Sequence, residues 1–403
     1  MASFILHLVD ALWHVAGLLL LLVLFTEYGI DGLRRASRRL RLGQPTRVDR
    51  SATADAYRGA AWSIPYFEEF RRGVRTDWKP YVGWWQRPFR GTYVSIDERG
   101  LRLTPGERDA TPGAVRIWCF GGSTMMGMGV RDAHTIPALL ARRLAENGHT
   151  VAVTNLGQLA HNSTQEAISL HQLLKKGTPP DVAVFYDGVN DMMAAEQTGD
   201  ADRMFHEAAR RAEFNLLFPD RRRDLAAAAL IALFPRTLRR LRAVTGLALR
   251  GPASVAPTDL TGRDLEDLAR RVVGAYAANL RLVGLMAKAH GLRALFFWQP
   301  VITTKQVKSP DEQYFAAQFT TDTAARQRLY DAIIAARKRH PDLVAMPDAI
   351  DLSRLFDGCQ DPVYIDFYHL SEPANAVVVE AMLPAVEDAV RAARQGETGR
   401  RVR

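Results

Sequence analysis

The chain has 403 residues, of which 47% are hydrophobic and 24% are charged, and it carries a formal net charge of +9 at pH 7. This length and hydrophobic fraction allow a large buried core, which argues against an intrinsically disordered protein. Two cysteines, Cys119 and Cys359, are too few for a disulfide framework or a cysteine-based metal site.

The first predicted element is an apolar helix over residues 4–25. At about 1.5 Å per residue, a helix of this length can cross the roughly 30 Å hydrocarbon core of a bilayer. We therefore predict a single-pass transmembrane anchor within residues 1–30, with the lipid bilayer as its partner. A cleaved signal peptide is the alternative, but the first Lys or Arg is Arg34 and no small-residue cleavage motif follows the apolar run.

A basic juxtamembrane segment, residues 31–50, follows the anchor with seven Arg against two Asp, an excess of five. Arginines beside a span favour the cytoplasmic side, although such a segment can also lie on anionic headgroups. We expect no nucleic-acid partner, because neither this segment nor the basic tail, residues 396–403, is interleaved with base-stacking aromatic residues.

Residues 51–112 are rich in Trp, Tyr, Pro and Gly. This aromatic lead-in is predicted to be small and β-rich, with a turn at residues 97–100, which read Asp-Glu-Arg-Gly. Its aromatic side chains either cover an edge of the main domain or contribute to a substrate cleft.

The main domain, residues 113–395, alternates short apolar runs with amphipathic segments, which predicts a parallel sheet covered by helices on both faces. A helical insertion is predicted over about residues 196–257, with helices at 225–233 and 237–249 separated by Pro235. Its role is structural, or it forms a lid or a membrane-contacting surface. The predicted strands are residues 115–120, 151–155, 182–186, 292–298 and about 343–346, and the main helices are residues 136–146, 165–175, 264–290 and about 374–393.

Chemically useful residues follow three of these strands. Residues 120–124 read Phe-Gly-Gly-Ser-Thr, so that two glycines allow a sharp turn and leave the Ser123 hydroxyl at a helix entrance. Gly157 ends the second strand and can present its N–H to a ligand, while Asn190 follows the third strand with an amide donor. Each pattern alone is also typical of an ordinary turn, but all of them converge on one edge of the sheet.

A fourth segment, residues 364–371, precedes the last helix and contains Asp366 and His369. The three-residue offset places both side chains on one side of a turn, so that the carboxylate can hold Nδ1 of the imidazole while Nε2 faces outward as a general base. His134 and His149 also lie near acidic residues, but neither follows the carboxyl end of a strand.

These four segments resemble the four sequence blocks of the SGNH/GDSL hydrolase superfamily, over residues 115–385. The resemblance implies a flavodoxin-like three-layer α/β/α fold with a five-stranded parallel sheet and no metal or organic cofactor. It implies that Ser123, Asp366 and His369 form a catalytic triad and that Ser123, Gly157 and Asn190 form the oxyanion hole. Two departures are Gly122, where the family motif has Asp, and residues 373–375, Pro-Ala-Asn, where many relatives have Gly before Asn.

The predicted function is a serine esterase that hydrolyses ester-linked acyl groups, acetyl groups included, on small molecules or glycans. An O-acyltransferase acting on a polysaccharide or another envelope glycan is the enzymatic alternative. A non-catalytic, membrane-anchored, glycan-binding scaffold is the alternative from another class. Similar anchored relatives often face outward, so we expect the main domain on the extracytoplasmic side, although the Arg-rich flank favours the inside.

Overall fold

A computed structural model describes residues 2–29, 49–105, 112–177, 179–207, 262–318 and 323–401, together with residues 210, 211, 214, 233, 234 and 237. In these ranges the strands are β1 (Thr76–Lys79), β2 (Gly83–Gln86), β3 (Phe89–Arg90), β4 (Ser95–Ile96), β5 (Val115–Gly121), β6 (Val151–Asn155), β7 (Val182–Asp187), β8 (Arg293–Trp298) and β9 (Ala349–Asp351).

The helices are α1 (Ala2–Leu24), α2 (Ser63–Gly73), α3 (Ser123–Met126), α4 (Ile136–Glu146), α5 (Ser163–Leu174), α6 (Val189–Thr198), α7 (Gly262–His290), α8 (Pro310–Gln318), α9 (Thr323–Arg339), α10 (Pro341–Val344) and α11 (Glu372–Arg401). The helices that cover the sheet form two groups: α7 packs against α5, α6 and α9, whereas α11 packs against α4.

Strands β5 to β9 form one parallel sheet in the order β6-β5-β7-β8-β9. Counted from β5 as the first strand, this order is 2-1-3-4-5, the flavodoxin-like arrangement. Strands β6 and β7 are buried along their whole length, because helices cover both faces of the sheet. The predicted fold class, a flavodoxin-like five-stranded parallel sheet between helices, is confirmed.

A stack of phenylalanines crosses the core of the sheet. The Phe120 and Phe185 ring centroids lie 4.8 Å apart, and those of Phe185 and Phe296 lie 5.2 Å apart, on the neighbouring strands β5, β7 and β8. Same-face neighbours on adjacent strands are close enough for aromatic rings to stack, so this row fixes the register of three strands. Cys119, the residue before Phe120 on β5, is fully buried.

The predicted fifth strand at residues 343–346 is wrong. That segment overlaps α10, which starts at Pro341 with only Leu343 buried, and the fifth strand is β9. Proline suits the first position of a helix, where no intrahelical N–H donor is needed. Strand β9 lies at the edge of the sheet and is only partly buried, so it lacks the apolar run that identifies the central strands.

Two further elements differ from expectation. The lead-in contains the β1–β2 hairpin and the β3–β4 pair, but it also contains helix α2, which the β-rich prediction omitted. Helix α11 extends past the predicted end at about residue 393 to Arg401, so most of the predicted basic tail is helical. The predicted turn at residues 97–100 is present, with Gly100 at φ 77° and its N–H donating to the Asp97 carbonyl.

The chain divides into two compact units, one of residues 1–47 and 206–255 and the other of residues 48–205 and 256–403. In the first unit, Leu12–Gly29 is long and apolar enough to cross a membrane and is 6% buried, although a signal sequence has the same properties. The Glu27 carboxylate accepts hydrogen bonds from the N–H and hydroxyl of Thr237 at 2.8 and 2.9 Å. The basic segment and most of the predicted insertion lie outside the described residues.

Candidate active site

Ser123 lies where β5 ends and α3 begins. Gly122 is the residue before the helix, and Ser123 is its first residue, 5% exposed. The helix has only four residues because Gly127 adopts a left-handed φ of 90° and returns its N–H to the Ser123 carbonyl. The sharp turn into α3 and the early end of this helix hold the Ser123 hydroxyl at the carboxyl edge of the sheet.

The structure brings Ser123, His369 and Asp366 into one hydrogen-bonded line. His369 Nε2 lies 2.8 Å from Ser123 Oγ, and His369 Nδ1 lies 2.6 Å from Asp366 Oδ2. His369 is 2% exposed, so the line is shielded from bulk water. With its proton on Nδ1, the imidazole donates to the carboxylate and accepts the hydroxyl proton at Nε2.

A tight turn fixes the Asp366 carboxylate. Its Oδ1 accepts the backbone N–H groups of Tyr368 and His369 at 2.9 and 2.7 Å, while Oδ2 faces the imidazole. Burial opposes the ionisation of Asp366, but attraction to His369 and the hydrogen bonds from His369 and Tyr368 outweigh burial and lower its pKa. The carboxylate is therefore ionised at neutral pH and oriented toward the ring.

Asn190 occupies the first turn of α6, directly beyond β7. Its amide nitrogen donates to the His161 carbonyl at 2.6 Å, and it lies so near Gly122 that a Cβ there would be 2.0 Å away. The Asn190 side chain is therefore next to the residue that precedes Ser123. An amide NH₂ group has two protons, so one remains for another acceptor.

Gly157 lies beside the nucleophile helix, but its N–H already has an acceptor. The N–H donates to Asn155 Oδ1 at 3.0 Å. A Cβ on Gly157 would come within 2.3 Å of the Met126 backbone nitrogen, so glycine is needed for this close approach. The structure therefore supports a packing role for Gly157, and its predicted N–H donation to an oxyanion requires it to leave Asn155.

The other histidines near acidic residues lie elsewhere. His134 lies 3.5 Å from Glu372, and His149 lies 3.4 Å from Glu387.

His161 was not predicted as a site residue, yet it contacts the site through its backbone. Its ring nitrogen Nε2 lies against the Trp84 carbonyl, and its own carbonyl accepts a hydrogen bond from the Asn190 amide. Burial lowers the pKa of His161 to about 4, so its ring is neutral at pH 7.

The loop after the nucleophile is held by Arg102 of the lead-in, another residue that sequence analysis missed. Arg102 is 1% exposed. Its guanidinium pairs with Asp132 at 2.9 Å and donates to the carbonyls of Met126, Gly127 and Val130. A guanidinium offers five fixed donors, which suits it to hold several carbonyls of one loop. The lead-in therefore supports the catalytic edge.

Comparisons with known proteins give matches to solved structures. A scan against protein-family models and a search of curated proteins found no match. The solved structure of TesA is 15% identical, with a TM-score of 0.36, over 68% of this chain and 99% of TesA. An acetyl xylan esterase, AlAXEase, is 14% identical, with a TM-score of 0.36, over 68% of this chain and 100% of that chain.

A third solved structure is a member of the lipolytic protein G-D-S-L family from Veillonella parvula. It is 11% identical, with a TM-score of 0.36, and the match covers 67% of this chain and 97% of that chain. This chain is therefore similar to solved structures that include lipolytic proteins of the G-D-S-L family.

Proposed function

We infer that this chain is a serine hydrolase that cleaves ester-linked acyl groups. The observation that carries this inference is a chain of two hydrogen bonds. One joins Asp366 Oδ2 to His369 Nδ1 at 2.6 Å, and the other joins His369 Nε2 to Ser123 Oγ at 2.8 Å. A hydroxyl is a weak nucleophile at neutral pH, and an adjacent imidazole base activates it. The SGNH/GDSL resemblance of the sequence assigns the same three residues to the triad.

The proposed reaction passes through an acyl-enzyme. Ser123 Oγ attacks the ester carbonyl carbon while His369 Nε2 takes the hydroxyl proton, which then goes to the departing alcohol. Asp366 orients the ring and stabilises the imidazolium that forms between these steps. Water that gives its proton to His369 attacks the acyl-enzyme, releasing the acid and restoring the Ser123 hydroxyl.

The tetrahedral oxyanion needs donors near Ser123. The proposed donors are the Ser123 N–H and the second amide proton of Asn190, whose first proton is held by the His161 carbonyl. Gly157 joins them only if its N–H leaves Asn155 Oδ1. The proposed substrates are acylated small molecules or glycans, as the family resemblance implies.

Labelling with a fluorophosphonate tests the nucleophile in the full-length protein. We expect the wild-type chain to be labelled at Ser123 and to hydrolyse an activated ester, and the Ser123→Ala variant to do neither while melting at the same temperature. Ser169→Ala is the matched control, because Ser169 is a buried serine that donates to Gln165 within α5. A folded wild-type chain that stays unlabelled would instead support a non-catalytic scaffold.

Product analysis separates hydrolysis from acyl transfer. Both reactions share the first half of the cycle and differ in whether water or another hydroxyl resolves the acyl-enzyme. We expect free acid as the product when no glycan is present. Acylated glycan forming at the expense of free acid, once a glycan is added, would assign transfer instead.

We further propose that α1 anchors the chain in a membrane with the main domain on the extracytoplasmic side. Large apolar side chains such as Leu12, Trp13 and Leu18 are 60%, 78% and 67% exposed, which suits contact with lipid. The protein should stay with the membrane in alkaline carbonate. The main domain should be digested by protease in spheroplasts, and protection there would place it inside.

A further inference from the structure

The Asp366–His369 turn rests on a buried ion pair that takes no part in the reaction described above. Lys305 and Glu312 are both 0% exposed, and Lys305 Nζ lies 2.6 Å from Glu312 Oε2. Moving two charges out of water is costly, and such a pair is tolerated only when hydrogen bonds satisfy its remaining atoms. The partners of these remaining atoms therefore indicate what the pair holds in place.

One carboxylate oxygen of Glu312 closes the start of α8. Glu312 Oε2 accepts the Ser309 N–H at 2.9 Å, and Ser309 Oγ accepts the Glu312 N–H at 3.3 Å. This reciprocal arrangement is a capping box, which needs only one of the two carboxylate oxygens. The helix start therefore accounts for Oε2 and leaves Oε1 for another role.

The other oxygen holds the segment that leads into the catalytic turn. Glu312 Oε1 accepts the consecutive backbone N–H groups of Val363 and Tyr364 at 2.9 and 3.1 Å. Lys305 Nζ donates to the Asp361 carbonyl of the same segment at 2.7 Å. The ion pair thus bonds to two backbone N–H groups and one backbone carbonyl in residues 361–364.

This segment is joined directly to the catalytic residues. Tyr364 pairs with Leu370 in an antiparallel bridge, and the Ile365 N–H donates to the His369 carbonyl at 3.0 Å. The bridge closes a loop that contains Asp366 and His369. A shift of Val363 and Tyr364 would therefore move the imidazole relative to Ser123, which belongs to a different segment of the chain.

We propose that Glu312, neutralised by Lys305, is a positioning residue that fixes the Asp366–His369 turn against Ser123. This inference rests on the proposed function for its effect on turnover. A displacement of about 1 Å in a catalytic group can cost on the order of 100-fold in rate, so a residue remote from the reacting atoms can control the rate in this way.

The test is Glu312→Gln in the full-length chain. The amide still accepts from Val363 and Tyr364 through its oxygen, but its NH₂ group faces Lys305 Nζ and the Ser309 N–H, which are also donors. We expect kcat on an activated ester to fall about 10- to 100-fold with little change in KM, because the turn is displaced while the cleft remains. Inactivation by a fluorophosphonate should slow by a similar factor.

A spectroscopic signal reports the turn independently of turnover. The His369 Nδ1 proton shared with Asp366 should give a downfield proton resonance in the wild-type chain with ¹⁵N-labelled histidine, and this resonance should weaken or move upfield in Glu312→Gln. If the wild-type chain shows the resonance but neither hydrolyses esters nor reacts with the probe, the proposed function fails. The resonance still decides whether Glu312 positions the turn.

Asp311→Asn is the matched control. Asp311 lies in the same turn of α8, but its carboxylate pairs with the half-exposed Arg50 and accepts the Asp55 N–H instead of contacting the catalytic turn. Its kcat should stay within about twofold of wild type, because exposed ion pairs contribute little. A fall in kcat equal to that of Glu312→Gln would overturn the assignment to Glu312.

A second variant covers the case in which Glu312→Gln does not fold. The double variant Lys305→Met/Glu312→Leu removes both charges, so that neither is left buried without its partner. It also removes the acceptor of the Val363 and Tyr364 N–H groups, so kcat should still fall. If either folded variant keeps the wild-type kcat and the His369 resonance, the ion pair is only structural and the proposal is wrong.

Discussion

Gly122 and Asn190 share one small volume beside Ser123. A Cβ on Gly122 would lie 2.0 Å from the Asn190 amide nitrogen, a separation that real Cβ contacts do not show. The SGNH/GDSL family motif has Asp at the position of Gly122. In this chain the amide of Asn190 fills the space that a side chain would occupy, which gives the departure from the motif a physical reason.

Replacing Gly122 with the residue of the family motif should therefore impair the proposed reaction. In Gly122→Asp, the new side chain displaces the Asn190 amide or shifts Ser123, and kcat should fall on the order of 100-fold. Hydrolysis of an activated ester measures the effect, with thermal melting as the check on folding. Unchanged or higher kcat would mean that Asn190 can move aside without loss.

Truncating Asn190 tests the donor itself. Loss of one oxyanion donor costs about 10²- to 10³-fold in kcat, and we expect this loss in Asn190→Ala. Asn147→Ala is the control, because Asn147 is an exposed asparagine at the end of α4 whose amide donates to Glu387 at 2.7 Å. Equal kcat in the wild type and in Asn190→Ala would remove the assigned role.

Arg102 of the lead-in joins the lead-in to the loop after α3 through its ion pair and hydrogen bonds. Tyr57 and Tyr66 reinforce this contact, since their hydroxyls donate to the carbonyls of Gly129 and Gly127. The loop runs directly from the nucleophile helix, so its position affects Ser123. The lead-in thereby gains a defined role in supporting the catalytic edge, beyond covering an edge of the domain.

Removing the Arg102 guanidinium should destabilise the fold. Arg102→Met removes the guanidinium donors from Asp132 and from three loop carbonyls. Breaking a buried ion pair in this way costs about 3–5 kcal/mol of unfolding free energy. Arg99→Met, in the same lead-in, removes a half-exposed ion pair with Asp97 and should cost under about 1 kcal/mol. Urea denaturation measures the loss of unfolding free energy in both variants. Similar losses would contradict the role of Arg102 in holding the loop.

Three neighbouring carboxyl groups make the stability of the whole domain depend on pH. Glu166 and Asp187 are buried and Asp191 is partly buried, where α5 and α6 meet the end of β7. Burial raises the pKa of Asp187 to about 7 and that of Asp191 to about 6, and burial with the neighbouring Asp187 raises the pKa of Glu166. The carboxyl groups of Glu166 and Asp187 interact with each other, and no other described residue donates a hydrogen bond to either carboxyl group.

The raised pKa values determine whether the free energy of unfolding rises or falls with pH. A carboxyl whose folded pKa exceeds its unfolded value of about 4 stabilises the fold fully below pH 4, and this contribution is lost as pH rises through the folded pKa near 6 to 7. The free energy of unfolding should therefore fall between pH 5 and pH 8, by an amount on the order of a few kcal/mol.

Asp187→Asn should flatten this fall because the amide does not titrate. Urea denaturation of the wild type and of Asp187→Asn at pH 5 and pH 8 measures the difference. We expect the variant to lose less stability over this interval than the wild type. Parallel losses in the two proteins would show that Asp187 does not titrate in this window.

The sequence by itself determined the elements whose signal is local. Central strands buried on both faces must be apolar, so four of the five strands of the sheet could be located from their runs. The residues proposed for catalysis were also found from the sequence. Ser123, Gly157 and Asn190 each follow the end of a strand, and Asp366 and His369 are only three residues apart just before the last helix. Edge strand β9 lacks such a run, and the prediction placed it wrongly.

Only the tertiary structure decided which polar groups are buried together. In the sequence, Glu312 is one of many acidic residues and Arg102 is one of many arginines. Nothing local indicates the distant N–H and carbonyl groups to which their side chains bond. A buried charge is tolerated only with its partners, and those partners lie in segments that only folding brings together.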